Sequence, residues 1–208
     1  MVTQNDNSAR GVETVKTIDE EVKQDWFKEH KATLTKQGNI EVLDWRKPGT
    51  GIFAVRYVFD GYHMYVSGDL GEAVFRFSEA AYLHRIAHYS LDYFEEKMRA
   101  FTDARRDFNQ EKAVKYLKER LNEDETPDKE VYDALFSMID GCSSVREWEH
   151  QLFSFDYGRL GGDAWEWISS IGDEIPVRVK SYLIGIKMAS AQIEGSPETP
   201  PPSEAIKP

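Results

Sequence analysis

Cysteine is almost absent from this chain: Cys142 is the only one among 208 residues, which excludes an internal disulfide. Long hydrophobic runs are absent too. None approaches the roughly 20 residues that span a bilayer, and the polar residues 1–11 lack a signal-peptide core. We therefore expect a chain that works outside the membrane in a reducing compartment. Its 40% hydrophobic and 12% aromatic residues are enough to build a hydrophobic core.

Basic residues are in deficit, and the deficit is confined to one segment. The chain carries 26 Lys and Arg against 37 Asp and Glu, a net charge of −11. Residues 119–175, the acidic segment, contain 15 Asp and Glu against 4 Lys and Arg and so account for the whole net charge. Because binding to phosphates needs a surface rich in Lys and Arg, we expect no direct contact with DNA or RNA.

The acidic segment has two interpretations. Runs of like charge are most often a solvated surface, and most aromatic residues belong to a core. Alternatively, the segment is an acidic and aromatic face that docks on a basic protein groove, such as one that otherwise holds nucleic acid. An exposed aromatic anchor ringed by carboxylates is typical of a protein-binding hot spot. The predicted partner-binding residues are Glu123, Asp124, Glu125, Trp165, Glu166 and Trp167.

A complete catalytic signature is also lacking. Residues 158–162 are glycine-rich but have no Lys-Ser/Thr pair of a phosphate-binding loop, so they indicate a flexible turn. Cys142 has no activating neighbour in the sequence, which argues against a catalytic thiol. The sequence therefore assigns no catalytic residue, no metal site and no cofactor, and it favours an interaction protein over an enzyme.

Histidine spacing leaves an enzymatic alternative open. His84, His88 and Asp92 are four residues apart, so an unbroken helix would place them on one face, where they could bind a divalent metal. His63 and Asp69 flank a turn and could form an acid/base pair. Either set would suit a small metal-dependent hydrolase or nuclease. The alternative is that these are ordinary packing, surface and turn residues.

Turn residues divide the segment 40–77 into four predicted strands. The structural turn positions are Pro48, Gly49, Gly61, Gly68, Asp69 and Gly71. Between them, residues 52–59 alternate with the period of two that is typical of a half-buried strand. The predicted strands cover residues 40–45, 52–59, 62–67 and 73–77. Their short connections predict an antiparallel meander.

Helix caps organise the rest of the chain. Thr17 and Glu20 form a capping-box pattern, and the apolar stripe that follows predicts a helix that continues until Gly38. Later helices are predicted to begin at Ser90, Thr126-Pro127-Asp128, Ser144 and Pro176. The first of these caps would interrupt the spacing of the three candidate metal ligands. The predicted fold class is α+β, with an N-terminal helix, a four-stranded antiparallel β-meander and a helical C-terminal half.

Both ends of the chain lack apolar periodicity. Residues 1–12 are polar and residues 195–208 are rich in proline, so both are predicted to be disordered. Residues 13–194 are predicted to form a single α+β domain.

The meander residues resemble a family of small proteins encoded by tailed bacteriophages and prophages. The family pattern runs Arg-x-Pro-Gly-Thr, then an aromatic hairpin with a His, then Gly-Asp-x-Gly-x-x-Val-Phe. Here its elements are Arg46, Pro48, Gly49, Thr50, His63, Gly68, Asp69, Gly71, Val74 and Phe75. Residues 93–100 are similar to the family's Tyr-Trp-x-Glu-Lys-Leu-x-Ala block. The resemblance spans residues 40–190.

The resemblance implies a phage accessory protein with an anti-defence role in the cytoplasm of the bacterial host. Together with the segregated acidic charge, it predicts a protein that binds and inhibits a host protein with a basic surface. The most plausible target is a nucleic-acid-handling defence enzyme of the CRISPR or restriction kind.

Overall fold

The computed structural model describes residues 16–195. The predicted disordered segments, 1–12 and all but the first residue of 195–208, lie outside the described residues. In chain order, the elements are α1 (Ile18–Glu21), β1 (Lys31–Gln37), β2 (Ile40–Arg46), β3 (Val55–Asp60), β4 (His63–Gly68), β5 (Ala73–Arg76), α2 (Leu83–Ala87), α3 (Leu91–Glu96), β6 (Met98–Phe101), β7 (Asp107–Phe108), α4 (Gln110–Glu123), α5 (Lys129–Asp140), α6 (Val145–Leu152), α7 (Ala164–Trp167), β8 (Asp173–Glu174) and α8 (Val177–Glu194). The α+β class and the helical C-terminal half are confirmed.

The main sheet is an antiparallel meander of six strands, β1 to β6, which lie side by side in sequence order. The four predicted strands correspond to β2, β3, β4 and β5. The predicted strand number was wrong, because β1 and β6 extend the meander at its two edges. Helices α2 and α3 lie between β5 and β6 in the chain, so β6 pairs with β5 after a helical excursion.

The predicted helix up to Gly38 was wrong. The Thr17 capping box forms as expected and starts α1, but the helical segment ends with a π-helical turn, Val22–Trp26. In β1, the partly buried Ala32 and Leu34 alternate with exposed threonines, which is a strand period. Gly38 has a φ of +59° and forms the two-residue turn between β1 and β2. This glycine therefore forms a hairpin turn and does not end a helix.

Helix α8 covers one face of the sheet. The fully buried side chains of that face include Leu43, Trp45, Tyr57, Phe59, Met64 and Phe75. The Tyr57 hydroxyl donates to the Tyr182 carbonyl of α8 (3.0 Å), and the Tyr182 hydroxyl donates to the Leu70 carbonyl (2.6 Å). Burial raises the pKa of Tyr182 to about 12. Pro176 immediately precedes α8, as predicted, and Val179, Leu183 and Ile186 are buried.

A second hydrophobic cluster lies among α4, α5, α6 and α7. Its fully buried members include Ala113, Leu117, Leu135, Ile139 and Trp148. Ser144 caps α6 as expected, whereas α5 is capped by Asp128, two residues after the predicted Thr126. The short strands β7 and β8 pair with each other, and in the chain they precede α4 and α8 respectively. The acidic segment thus forms most of the helical half.

Among residues 16–195, no helix combines the length and the apolar character that crossing a membrane requires.

Candidate functional site

Two large aromatic side chains stand in solvent on the helical half. Phe153, the residue that ends α6, is 95% exposed, and Trp165 on α7 is 64% exposed. Both line one shallow groove, here called the aromatic groove, together with Glu149, Leu152, Ile168 and Ser169. Exposed aromatics that share a groove are the anchors expected of a protein-binding surface.

The exposure of this pair follows from the burial of its neighbours. Trp148 and Leu152 of α6 are four residues apart and buried, so Phe153 falls off the buried stripe. Ala164 and Ile168 have the same spacing and are also buried, which turns Trp165 outward. The indole N–H of Trp148 donates to the Ile168 carbonyl (2.8 Å) and fixes α6 against the segment after α7. A buried anchor therefore holds both sides of the aromatic groove in place.

Carboxylates accompany the aromatic groove. Glu149 lines it, and Glu166 follows Trp165 directly in the chain. Both glutamates are exposed, and neither forms an ion pair with any residue of the described range. Negative charge next to the aromatic groove is therefore not compensated by an ion pair within residues 16–195.

A second concavity lies next to α4, α5 and α7 and is here called the acidic cleft. It is lined by Arg120, Glu123, Asp124, Tyr132, Leu160, Asp163 and Trp167. The Arg120 guanidinium lies 4.7 Å from the centre of the Trp167 ring and donates to Asp163 Oδ2 at 3.2 Å. The ring of Tyr116 lies 5.6 Å from that of Trp167, between centroids. The cleft thus combines aromatic walls with carboxylates.

The end of α4 positions two of the predicted partner-binding carboxylates, which line the acidic cleft. Glu123 is the last residue of α4, and Asp124 is its C-cap, with a backbone N–H that donates to the Arg120 carbonyl. Asp124 Oδ1 accepts from the Thr126 amide at 3.0 Å, which holds the side chain against the following loop. Burial, and next the charge of Asp124, raise the pKa of Tyr132, which places this phenol in the field of the carboxylate.

Four of the six predicted partner-binding residues line these two concavities. Trp165 lines the aromatic groove, whereas Glu123, Asp124 and Trp167 line the acidic cleft. Glu125 and Glu166 are exposed but line neither.

The predicted site residues do not include Phe153, Tyr132, Arg120 or Asp163. For Phe153 a local signal was present, because it directly follows Leu152, which forms the buried stripe of α6 together with Trp148. The pairing of Arg120 with Asp163 spans 43 residues and has no local signal.

The structure does not assemble the first candidate metal set. His84 Nδ1 lies 2.8 Å from Ser190 Oγ and 2.9 Å from Glu194 Oε1, so its ring contacts α8. Asp92 lies in the first turn of α3, beyond its N-cap, and His88 is exposed. Within residues 16–195, no group of three or more His, Cys, Asp or Glu side chains is placed to hold a metal ion.

The second candidate pair is separated by the length of β4. His63 opens this strand, opposite Asp60 and Arg76, and its ring lies 6.1 Å from that of Tyr65. Asp69 follows the other end of β4, where Asp69 Oδ2 accepts from the Phe53 amide at 2.7 Å. Asp69 therefore binds the backbone of the loop between β2 and β3 and does not orient the imidazole of His63.

Cys142 is buried, and its Sγ accepts from Gln151 Nε2 at 3.0 Å. Burial, followed by the charge of Glu147, raises the pKa of the thiol. Both effects disfavour the thiolate, which is the nucleophilic form.

Comparison with protein-family models, with curated proteins and with solved structures finds no match to the chain. The resemblance to phage proteins therefore rests on the sequence motifs alone.

Proposed function

We propose that this chain is a protein-binding protein whose helical half docks on a basic surface of another protein. In this proposal it is a bacteriophage accessory protein that inhibits a host protein in the cytoplasm of the infected bacterium. The proposal requires no cofactor and no bound metal.

The observation that carries the proposal is the exposure of Phe153 and Trp165 side by side in one groove. Leaving two large aromatic side chains in water forgoes the roughly 1.5–3 kcal/mol that burial of such a side chain contributes. Interface hot spots are enriched in aromatic anchors, and their surroundings exclude water when the partner binds. The exposed pair is thus best explained as a surface that becomes buried in a complex.

Charge supports a basic partner. The acidic segment has a net charge of −11, and its carboxylates at Glu149 and Glu166 have no basic partner among the described residues. A focused negative field raises the rate of encounter with a positive surface, and the effect falls with ionic strength. Grooves that hold nucleic acid carry such a surface. This is why we propose a nucleic-acid-handling defence enzyme of the CRISPR or restriction kind as the target.

The proposal is tested by capture followed by inhibition. The tagged chain is incubated with a bacterial lysate at low and at high salt, and the captured proteins are identified. The captured enzyme is then assayed for nucleic-acid cleavage while the chain is titrated in. The proposal predicts salt-sensitive capture and inhibition that saturates at a fixed molar ratio. A chain that turns over a substrate by itself, or captures no basic protein, would contradict it.

A further inference from the structure

We propose that the chain pairs with a second copy of itself through the face of the main sheet that α8 does not cover, here called the outer face. This inference does not rest on the proposed function, because every residue of the aromatic groove lies in the helical half. Two observations carry it. An apolar row crosses the outer face, and the charges that border this row are complementary to those of a second copy.

The apolar row crosses five strands. The strand register places Val42 beside Val58, Val58 beside Tyr65, Tyr65 beside Val74 and Val74 beside Ala100. Successive side chains of a strand point to opposite faces, and the neighbours of these residues along the strands include the buried side chains that face α8. None of the five residues belongs to either hydrophobic cluster of the described chain. The row is therefore an apolar surface that no hydrophobic cluster of residues 16–195 covers.

Charged residues border the apolar row on both sides. On β3, Arg56 and Asp60 flank the valine of the row at a distance of two residues. On β5, Glu72 and Arg76 flank the valine of the row in the same way. The spacing of two keeps all four side chains on the outer face, and all four residues are exposed. Because β3, β4 and β5 are antiparallel, Arg56 and Glu72 lie on one side of the row, and Asp60 and Arg76 lie on the other.

A two-fold axis along the apolar row brings opposite charges together. Rotation by half a turn about this axis exchanges the two sides of the row on every strand. Arg56 then faces Asp60 of the second copy, and Glu72 faces Arg76 of the second copy. Each contact occurs twice, as in any two-fold interface. The strands of the two sheets stay nearly aligned, which is the usual geometry of sheets that pack face to face.

The charges cannot satisfy one another within one chain. The two members of each pair lie four residues apart on a strand, about 13 Å, which is too far for contact. Three of the four form no ion pair within residues 16–195. The fourth, Arg56, shares Asp44 with Arg46, at distances of 3.4 and 3.6 Å. A second copy supplies the opposite charge at each of these positions, which is why we propose it as the occupant of the outer face.

The size of the outer face indicates a weak dimer. Five strands about 4.8 Å apart and five residues of about 3.4 Å each define a backbone patch of roughly 20 by 15 Å. With its side chains, such a patch buries on the order of 1,000 Å² in a dimer, the lower end for specific interfaces. We therefore expect a dimer Kd in the micromolar range. At nanomolar concentrations, where tight binding to a host protein is measured, the chain is then a monomer.

The test is sedimentation equilibrium of the full chain at low ionic strength, from about 1 to 500 µM. We expect a reversible equilibrium between monomer and dimer. Glu72→Lys and Arg76→Glu are each expected to raise the dimer Kd at least about tenfold, because like charges then face each other across the axis. In an equimolar mixture of these two variants, every facing pair has opposite charges again. The mixture is therefore expected to form a heterodimer with about the wild-type Kd.

Two control variants match these changes in net charge. Asp133→Lys on α5 and Lys118→Glu on α4 alter exposed residues that form no ion pair in the described range. Each is expected to change the dimer Kd by less than about twofold. Circular dichroism checks the fold of every variant. If a β5 variant fails to fold, Arg56→Glu and Asp60→Lys repeat the same design on β3.

A chain that stays monomeric over the whole concentration range would overturn the proposal. So would a mixture of the two reversals that associates no better than either variant alone, or controls that weaken the dimer as much as the reversals do. None of these outcomes bears on capture of a host protein, which is measured at Phe153 and Trp165. Loss of capture would likewise leave the sedimentation result unchanged.

Discussion

The backbone amide of Phe53 donates a 2.7 Å hydrogen bond to the carboxylate of Asp69, two residues that lie 16 positions apart. Phe53 has a φ of +54°, and it is the one non-glycine residue with positive φ in the described range. Its carbonyl accepts from His30 Nε2 at 3.1 Å, and its ring stacks on Trp26 at 4.7 Å. Three contacts, to Asp69, His30 and Trp26, thus stabilise the unfavourable backbone conformation of Phe53.

This contact joins the two segments that carry the phage resemblance. The loop after Arg46-Lys47-Pro48-Gly49-Thr50 contains Phe53, and Asp69 belongs to the Gly-Asp-x-Gly turn. The Asp69 amide also donates to the Ala54 carbonyl at 2.9 Å. Asp69 therefore links the end of β4 to the loop between β2 and β3 through two hydrogen bonds.

Replacement of Asp69 tests this joint. Asp69→Ala removes the acceptor for the Phe53 amide, and we expect it to lower the free energy of unfolding by about 1.5–3 kcal/mol, the range for hydrogen bonds to charged groups. Chemical denaturation measures the change. The control is Asp133→Ala, which removes an exposed carboxylate that has no hydrogen bond or ion pair in the described range. Equal stability of both variants would show that the Asp69 contact does not hold the loop.

Two glycines with positive φ separate backbone conformation from steric space. Gly49 (φ +81°) has open space where a Cβ would point, so Gly49→Ala is expected to cost about 1–2 kcal/mol. At Gly68 (φ +139°), a Cβ would clash with the Ala54 carbonyl oxygen, which is backbone. We expect Gly68→Ala to lower the free energy of unfolding by more than about 4 kcal/mol, a loss that few single substitutions cause. Unfolding curves that give both variants the same stability would contradict the close approach of this turn to the loop.

His30 predicts a specific pH dependence of stability. The side chain is 3% exposed, and burial lowers its pKa, with partial compensation by the hydrogen bond to the Phe53 carbonyl. The unfolded chain binds a proton at this residue near pH 6.5 and the folded chain only at lower pH. The stability from neutral His30 is therefore complete above about pH 6.5 and is lost as the pH falls towards the folded pKa.

The matched variant is His30→Gln, which can still donate to the Phe53 carbonyl but does not titrate in this range. Denaturation of both proteins between pH 4 and 8 isolates the contribution of His30, because all other groups are shared. We expect the difference in unfolding free energy to shift in favour of Gln as the pH falls below about 6.5. A difference that stays constant with pH would contradict the buried neutral imidazole.

The sequence predicted elements whose signals are local and missed those that depend on distant partners. Ser90 and Pro176 were recognisable because caps are defined by the residues beside them. Strand β6 is only four residues long, and α2 and α3 separate it in the sequence from its partner β5. Gly38 fits both a helix end and a hairpin turn, and only pairing of β1 with β2 decides between them.

For the candidate site, composition indicated the acidic segment but not the geometry of its side chains. The alternation of buried and exposed faces on α6 and α7 places Trp165 with Phe153 and turns Trp167 towards Arg120. That division depends on helix packing and on a contact between residues 120 and 163, which no local pattern encodes.

The histidines distinguish binding from catalysis. We expect His84→Ala and His88→Ala to leave inhibition of the captured host enzyme unchanged, because His84 contacts α8 and the exposed His88 lines neither concavity. Inhibition is measured with and without a chelator of divalent metals. The chelator is chosen so that it does not remove the metal that the host enzyme itself requires. Loss of inhibition in both variants, together with a need for added metal, would favour the enzymatic interpretation.

Reversal of charge tests electrostatic steering. In a variant with Glu123, Asp124 and Glu125 all changed to Lys, we expect slower association with the captured host protein and a flatter dependence of the association rate on salt. The fold should persist, because Glu123 and Glu125 are exposed and Asp124 lies at a helix end. Surface plasmon resonance gives the rates, and circular dichroism checks the fold. Unchanged association would indicate that this run of charge is ordinary solvated surface.

The affinity of the captured host protein for Phe153→Ala and Trp165→Ala tests the central claim most directly. Each variant should raise Kd by at least about thirtyfold, since hot-spot residues contribute 2 kcal/mol or more. The matched control is Tyr65→Ala, an exposed aromatic on the sheet, which should change Kd by less than about threefold. Wild-type affinity in both groove variants, or an equal loss in the Tyr65 control, would contradict docking through the aromatic groove.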